Sequence, residues 1–145
     1  MNVKQALKKK NLLIKEIQDL YIRVSTYNSI EVGNTRPYSA KESMEKINEL
    51  SNELVELKTK IHAANTPVYK FIFRLSELKS MIVRTKNLDC NEGSVQDYYT
   101  RNRDTPIIKQ SEISIIERDE MVKQMESQIE EIQEILDNHN QNTQI

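Results

Sequence analysis

Residues 61–75 read IHAANTPVYKFIFRL, and one helical pattern ends in this segment while another begins. Asn65 is typical of a helix C-terminus, Thr66 is typical of an N-cap, and Pro67 fits the first turn of a following helix. We therefore predict that one helix ends at Asn65 and that Thr66 caps the next. This corner is expected to decide how the flanking helices fold back.

The composition favours long helices over a mixed fold. The 145 residues include only two Gly and three Pro, whereas 30% of the chain is charged. Chains with few turn-forming residues and many Glu, Lys, Ile and Leu form long helices, and this length suits one domain over residues 1–145. The net charge of -1 gives no bulk attraction to nucleic acid or anionic lipid, so neither partner is expected.

Cysteine usage and hydropathy point to a cytoplasmic protein. The single cysteine, Cys90, excludes an intramolecular disulfide and argues against a secreted, disulfide-stabilised domain. The first residues carry lysines but no uninterrupted apolar core of signal-peptide length. No stretch approaches the roughly 18 apolar residues of a membrane-spanning helix.

Apolar residues recur at spacings of three and four, as on one face of a helix. The pattern predicts helices over residues 2–28, 39–65, 67–87 and 117–138. Ser39 and Glu42 form a capping-box motif at the start of the second helix, in which each side chain satisfies a free backbone N–H. A loop is expected between the first two helices.

The segment before the last helix breaks the helical pattern. Residues 88–116 are expected to form a loop or a short two-stranded ribbon, which another subunit could complete. The expected extended pieces are 98–101 and 112–115, where polar and apolar residues alternate in the second piece. The polar tail 139–145 is expected to fray, with Ile145 as its anchor.

The first and last helices have opposite charge. Residues 1–28 hold six Lys and Arg against two Asp and Glu, a net of +4, and residues 112–138 hold two against nine, a net of -7. Such helices can run side by side within a molecule or between molecules. Their apolar seams are the predicted association surfaces of a homo-oligomer: Leu13, Ile17, Leu20, Val24, Val122, Met125, Ile129, Ile132 and Leu136.

Residues that could carry chemistry are few. A candidate ligand or nucleic-acid loop interleaves aromatic residues with cations, as binding loops do: Tyr98, Tyr99, Arg101 and Arg103. The alternative is a structural loop between subunits. Arg74 and Glu77, three residues apart on one helix face, are a candidate inward-facing ion pair.

No metal site, cofactor or catalytic centre is expected. His62 has no Cys or acidic residue at ligand spacing within its helix turn, and His139 has Asp137 and Glu134 nearby but at a helix end that is expected to fray. Acidic neighbours disfavour a reactive thiolate at Cys90. No phosphate-binding loop or nucleophile motif occurs, so the chain is not expected to be an enzyme.

Three stretches resemble a family of small bacterial helical proteins of unknown function, some of which carry the label septicolysin. The end of the second helix, ELKTKIHAAN at 56–65, resembles an Ile-Asn-x-Thr-Asn-like ending in that family. Arg74 with Leu78 resembles its Arg-Asp-x-Leu, and the stretch from Ser111-Glu112-Ile113 to the NQNTQI tail is similar to its Ser-Glu-Ile start and Asn-Trp-Thr-Thr-like end. The resemblance implies a helical, oligomer-forming protein without an assigned activity.

The sequence thus predicts an all-α protein: an elongated, coiled-coil-like four-helix bundle with a short extended insertion before its last helix. The expected role is that of a self-associating scaffold or interaction protein, whose protein partner is unknown. One alternative is a membrane-active, cytolysin-like protein, as the septicolysin label suggests. Another is ligand or nucleic-acid binding through the 98–103 loop.

Overall fold

The computed structural model describes residues 1–95 and 107–145, and these residues are mostly helical. Helix α1 is Val3–Tyr27 and α2 is Ala40–Asn65. A 3₁₀ turn, Thr66–Val68, leads to α3, Tyr69–Lys86. Strands β1, Gly93–Val95, and β2, Ile107–Lys109, precede α4, Ile115–Asn142. The all-α prediction is confirmed at this level.

Local sequence signals explain the ends of the first two helices. The Asn2 side chain accepts from the Gln5 N–H at 2.9 Å, and the Gln5 side chain accepts from the Asn2 N–H at 3.0 Å. This capping box satisfies two backbone donors that the first turn leaves without a helical partner. At α2 the Glu42 N–H donates to Ser39 Oγ at 3.2 Å, which confirms the Ser39 half of the predicted capping box.

The predicted loop between α1 and α2 is closed by an arginine. Arg36 Nε donates to the Tyr27 carbonyl at 2.9 Å, and its Nη2 donates to the Asn28 carbonyl at 3.0 Å. Carbonyls at a helix C-terminus have no partner within the helix, and a cation there also complements the helix dipole. Arg36 therefore stabilises the end of α1.

The prediction that Thr66 caps α3 is wrong. Thr66 has helical backbone angles, φ -48° and ψ -44°, and its N–H donates to the Ala63 carbonyl, whereas an N-cap residue has extended angles. Pro67 lacks an N–H, and its ring would clash with the carbonyl four residues earlier in an α-helix. The chain meets this constraint with one 3₁₀ turn rather than with a capped break.

The described chain forms two compact units, residues 1–69 with 137–145, and residues 70–136. The organisation of residues 1–145 as one domain stays a prediction. In the first unit α1 packs against α2, since Ala6 and Leu13 share a buried core with Leu50, Leu57 and Ile61.

The second unit has its own core between α3 and α4. Its buried residues are Leu78 and Ile82 of α3 together with Val122, Met125 and Ile132 of α4. Both cores follow the spacing of three and four that predicted the helices. Burial of these aliphatic side chains is the main favourable term in the packing of each helix pair.

The predicted ribbon is present, but its strands lie elsewhere than expected. Strands β1 and β2 pair antiparallel, with Ser94 opposite Ile108, and both belong to this chain. The expected piece 98–101 lies outside the described residues. The expected extended piece at 112–115 is wrong because Ser114 and Glu117 form a reciprocal capping box, both bonds at 3.1 Å, at the start of α4.

The polar tail is ordered by contacts with the first residues of the chain, so the prediction that it frays is wrong. Helix α4 continues to Asn142, past the expected end near residue 138. The Val3 N–H donates to the Thr143 carbonyl at 3.0 Å, and the Ile145 N–H donates to the Met1 carbonyl at 2.9 Å. Ile145 also packs against the α1–α2 core, as its predicted role of anchor requires.

Candidate functional site

The predicted binding loop cannot be placed. Tyr98, Tyr99, Arg101 and Arg103 fall in 96–106, outside the described residues. The candidate ligand site therefore stays a sequence prediction.

Arg74 contacts a different partner from the one proposed for it. Its Nη2 donates to Gln128 Oε1 at 3.5 Å, which links α3 to α4. Both Arg74 and Glu77 are exposed, and the ion pairs of the described residues do not include one between them.

The predicted association seams lie mostly within the two cores. Leu13, Val122, Met125 and Ile132 are buried there. Partly buried residues that pack against the cores are Ile17, Leu20, Ile129 and Leu136. Val24 is partly exposed and lines an open groove with Met44 near the start of α2.

The charges on α1 and α4 also have partners within their own units. Lys9 pairs with Glu53 of α2 at 2.5 Å, and Lys86 of α3 lies 3.8 Å from Glu126 of α4. Exposed pairs of this kind contribute at most about 1 kcal/mol. Most of the lysines of α1 and most of the glutamates of α4 take part in none of the ion pairs of the described residues.

Three of these lysines lie on one side of α1, together with exposed apolar residues, and we call this side the basic face. Helical periodicity places it opposite the core residues Ala6 and Leu13. Its members are Lys4, Lys8, Leu12, Lys15, Asp19 and Ile22. All are exposed, including the large apolar side chains of Leu12, 58%, and Ile22, 64%. Three Lys against one Asp give this face a net charge of +2.

The corresponding surface of α4, which we call the acidic face, lies opposite the core residues Met125 and Ile132. Its members are Ile116, Glu120, Lys123, Glu130, Glu131 and Glu134. All are exposed, and Ile116 is 82% exposed. Four Glu against one Lys give a net charge of -3.

A small groove between α3 and α4 is lined by methionines. Met81, Met121 and Met125 line a cavity of about 200 Å³, with Arg74 and Gln128 at its polar edge. Methionine is flexible and polarisable and adapts to irregular apolar partners. The groove is open and shallow, so it suits a side chain of a partner better than an enclosed small molecule.

The base of the ribbon is joined by polar side chains. Lys109 Nζ lies 2.6 Å from Asp89 Oδ2, and Ser111 Oγ donates to Glu92 Oε1 at 2.6 Å. The hydrogen bond from Lys109, together with that from the Asn91 N–H, holds the pKa of the Asp89 carboxyl below its ordinary value. These bonds join the end of β2 to the segment between α3 and β1.

Each histidine is engaged by a neighbouring side chain. The Tyr69 hydroxyl hydrogen-bonds to His62 Nδ1 across the 3₁₀ turn. His139 Nε2 lies 3.2 Å from Asn65 Oδ1, and its Nδ1 lies 3.1 Å from Thr143 Oγ1. Within residues 1–95 and 107–145, no group of three or more His, Cys, Asp or Glu is arranged to hold a metal ion.

Comparison with known proteins does not assign this chain to a family. No protein-family model matches the chain, and no curated protein and no solved structure is significantly similar to it. The resemblance to septicolysin-labelled proteins therefore rests on the quoted motifs alone. Over the described residues, no helix combines the length and apolarity needed to cross a membrane.

Sequence reasoning found the charges of α1 and α4 but missed the faces on which they lie. The net charge of a segment does not distinguish a lysine that forms an ion pair within the chain, such as Lys9, from one outside the ion pairs of the described residues, such as Lys8. The spacing Lys8, Leu12, Lys15 was a readable signal, because steps of four and three lie on one side of a helix. This stripe lies on the side of α1 opposite the core residues Ala6 and Leu13.

Proposed function

We propose that this chain is a self-associating helical interaction module. The observation that carries the proposal is the exposure of large aliphatic side chains on helix faces that point away from the cores, above all Ile22 and Ile116. On each of these faces the exposed apolar side chains are accompanied by charged residues, and protein–protein contact sites combine apolar and polar groups in this way. The proposal assigns the chain no catalytic role.

The proposal includes the elongated four-helix bundle predicted from the sequence. It is supported by the helical content of the described residues and by the two helix pairs, each with its own core. Small-angle scattering tests this arrangement, since an elongated particle has a larger radius of gyration than a compact chain of the same mass.

Light scattering coupled to size-exclusion chromatography tests the association itself. We expect a mass at least twice the 17.0 kDa of one chain at tens of micromolar, on the order of the affinity of a modest interface. A variant with Leu12→Ser and Ile22→Ser should shift towards the monomer. The matched control is Val55→Ser and Val83→Ser, also at exposed aliphatic positions but on α2 and α3.

A wild-type mass of one chain across this concentration range would refute the proposal. Equal loss of association in the control and in the α1 variant would show that general surface hydrophobicity, rather than a defined face, drives assembly. Circular dichroism of each variant establishes that its helices are intact.

A further inference from the structure

We infer that the basic face of α1 in one copy of this chain packs against the acidic face of α4 in a second copy. The inference rests on the proposed self-association and names its interface. Both faces lie opposite the core of their own unit, so intrachain packing leaves them available.

The charge of the two faces is complementary. The basic face carries +2 and the acidic face carries -3. In the described part of the chain, Lys8, Lys15, Glu130 and Glu134 take part in no ion pair. Two copies of either face alone would repel each other. Complementary charge across an interface favours the correct partner, and like charge excludes the wrong one.

One spacing of charges is shared by the two helices. On α1, Lys4 and Lys8 are four residues apart, and on α4, Glu130 and Glu134 are also four residues apart. At 1.5 Å per residue, each pair of charges is about 6 Å apart along its helix axis. Two ion pairs can therefore form at once on a single pair of helices.

The apolar residues of the two faces provide most of the binding affinity, which exposed ion pairs cannot supply. Each screened surface pair contributes only about 0.2–1 kcal/mol, so charge mainly selects the partner. Burial of Leu12, Ile22 and Ile116 removes apolar surface from water, and this supplies the affinity. The partner that binds these faces is a second copy of the same chain, because each copy carries both complementary faces.

Two charge-reversal variants test the inference. The first variant carries Lys4→Glu, Lys8→Glu and Lys15→Glu, and the second carries Glu120→Lys, Glu130→Lys and Glu134→Lys. Each variant alone brings like charges together, so we expect its self-association to weaken at least about tenfold. An equimolar mixture restores opposite charge at every contact, so its association should return to within about threefold of the wild type.

The matched control reverses three exposed lysines away from both faces, Lys41→Glu, Lys58→Glu and Lys79→Glu, and it should associate as the wild type does. Circular dichroism and thermal melts confirm that each variant folds. A chain carrying both sets of reversals provides a second test, since it should self-associate like the mixture. In both cases the rescue should weaken as salt is raised, because counterions screen the pairs.

The outcomes separate the two proposals. A monomeric wild type would overturn both the proposed function and this interface. If the wild type self-associates and the two reversed variants do so equally well, the function stands and the interface is wrong. Weak association of both variants without recovery in the mixture would also overturn the interface, because faces that meet must respond to restored complementarity.

Discussion

His139 Nε2 lies 3.2 Å from Asn65 Oδ1 and joins the last turns of α4 to the final residue of α2. The other ring nitrogen lies 3.1 Å from the Thr143 hydroxyl. A neutral imidazole with its proton on Nε2 satisfies both contacts, donating to the amide oxygen and accepting from the hydroxyl. The imidazole therefore links the end of α2 to the tail that pairs with Met1 and Val3.

We expect His139→Ala and Asn65→Ala each to lower the free energy of unfolding by about 1 kcal/mol, the typical net contribution of a hydrogen bond. Because the two side chains contact each other, the double variant should cost less than the sum of the single variants. Urea denaturation of all four proteins measures this coupling. Asn138→Ala, at an exposed position beside His139, is the control and should change stability little. Strict additivity would contradict the contact.

The second prediction concerns the α3–α4 core. Leu78 is completely buried, so Leu78→Ala should lower the free energy of unfolding by about 2–5 kcal/mol through lost burial and the cavity left behind. Val83→Ala, on the same helix but 60% exposed, should change it by less than about 0.5 kcal/mol. Thermal melts followed by circular dichroism compare the two. Similar effects of the two substitutions would mean that α3 does not pack as described.

Thr66 and Ser39 provide a test of helix capping. Because Thr66 has helical backbone angles, Thr66→Ala should alter the free energy of unfolding by less than about 0.5 kcal/mol. Ser39→Ala removes an observed cap and should cost about 1 kcal/mol. Chemical denaturation of the two variants ranks them, and a larger cost at Thr66 would restore the cap predicted from the sequence.

Capping motifs and apolar periodicity are the local signals from which the helices could be predicted. Ser39 is a strong local signal, and spacings of three and four placed α1 and α2 within one or two residues of their observed ends. The Ser114–Glu117 capping box was equally readable, but the alternation over 112–115 obscured it. A four-residue alternation is a weak signal, because so short a segment can equally lead into a helix.

What could not be predicted depends on contacts between distant residues. Nothing local to Ile145 shows that its N–H bonds to the Met1 carbonyl, so the tail looked free. Strands β1 and β2 have three residues each, too few to show a period of two. The partner of Lys9 is likewise decided by packing of α1 on α2, which brings Glu53 to it.

The last prediction concerns the pH dependence of the ribbon. The hydrogen bond from Lys109 lowers the pKa of Asp89 in the folded protein, so the folded state favours the ionised carboxylate. This contribution is fully present above the unfolded-state pKa, about 3.9, and is lost as pH falls through the lower folded-state pKa.

Lys109→Met should raise the pKa of Asp89 towards its ordinary value, as measured by NMR titration of the carboxyl carbon. Asp89→Asn should remove this contribution to the acid dependence of stability, whereas Asp119→Asn, at an exposed carboxylate on α4, should leave it unchanged. An Asp89 pKa that is the same in the wild type and in Lys109→Met would show that the 2.6 Å contact does not persist in solution.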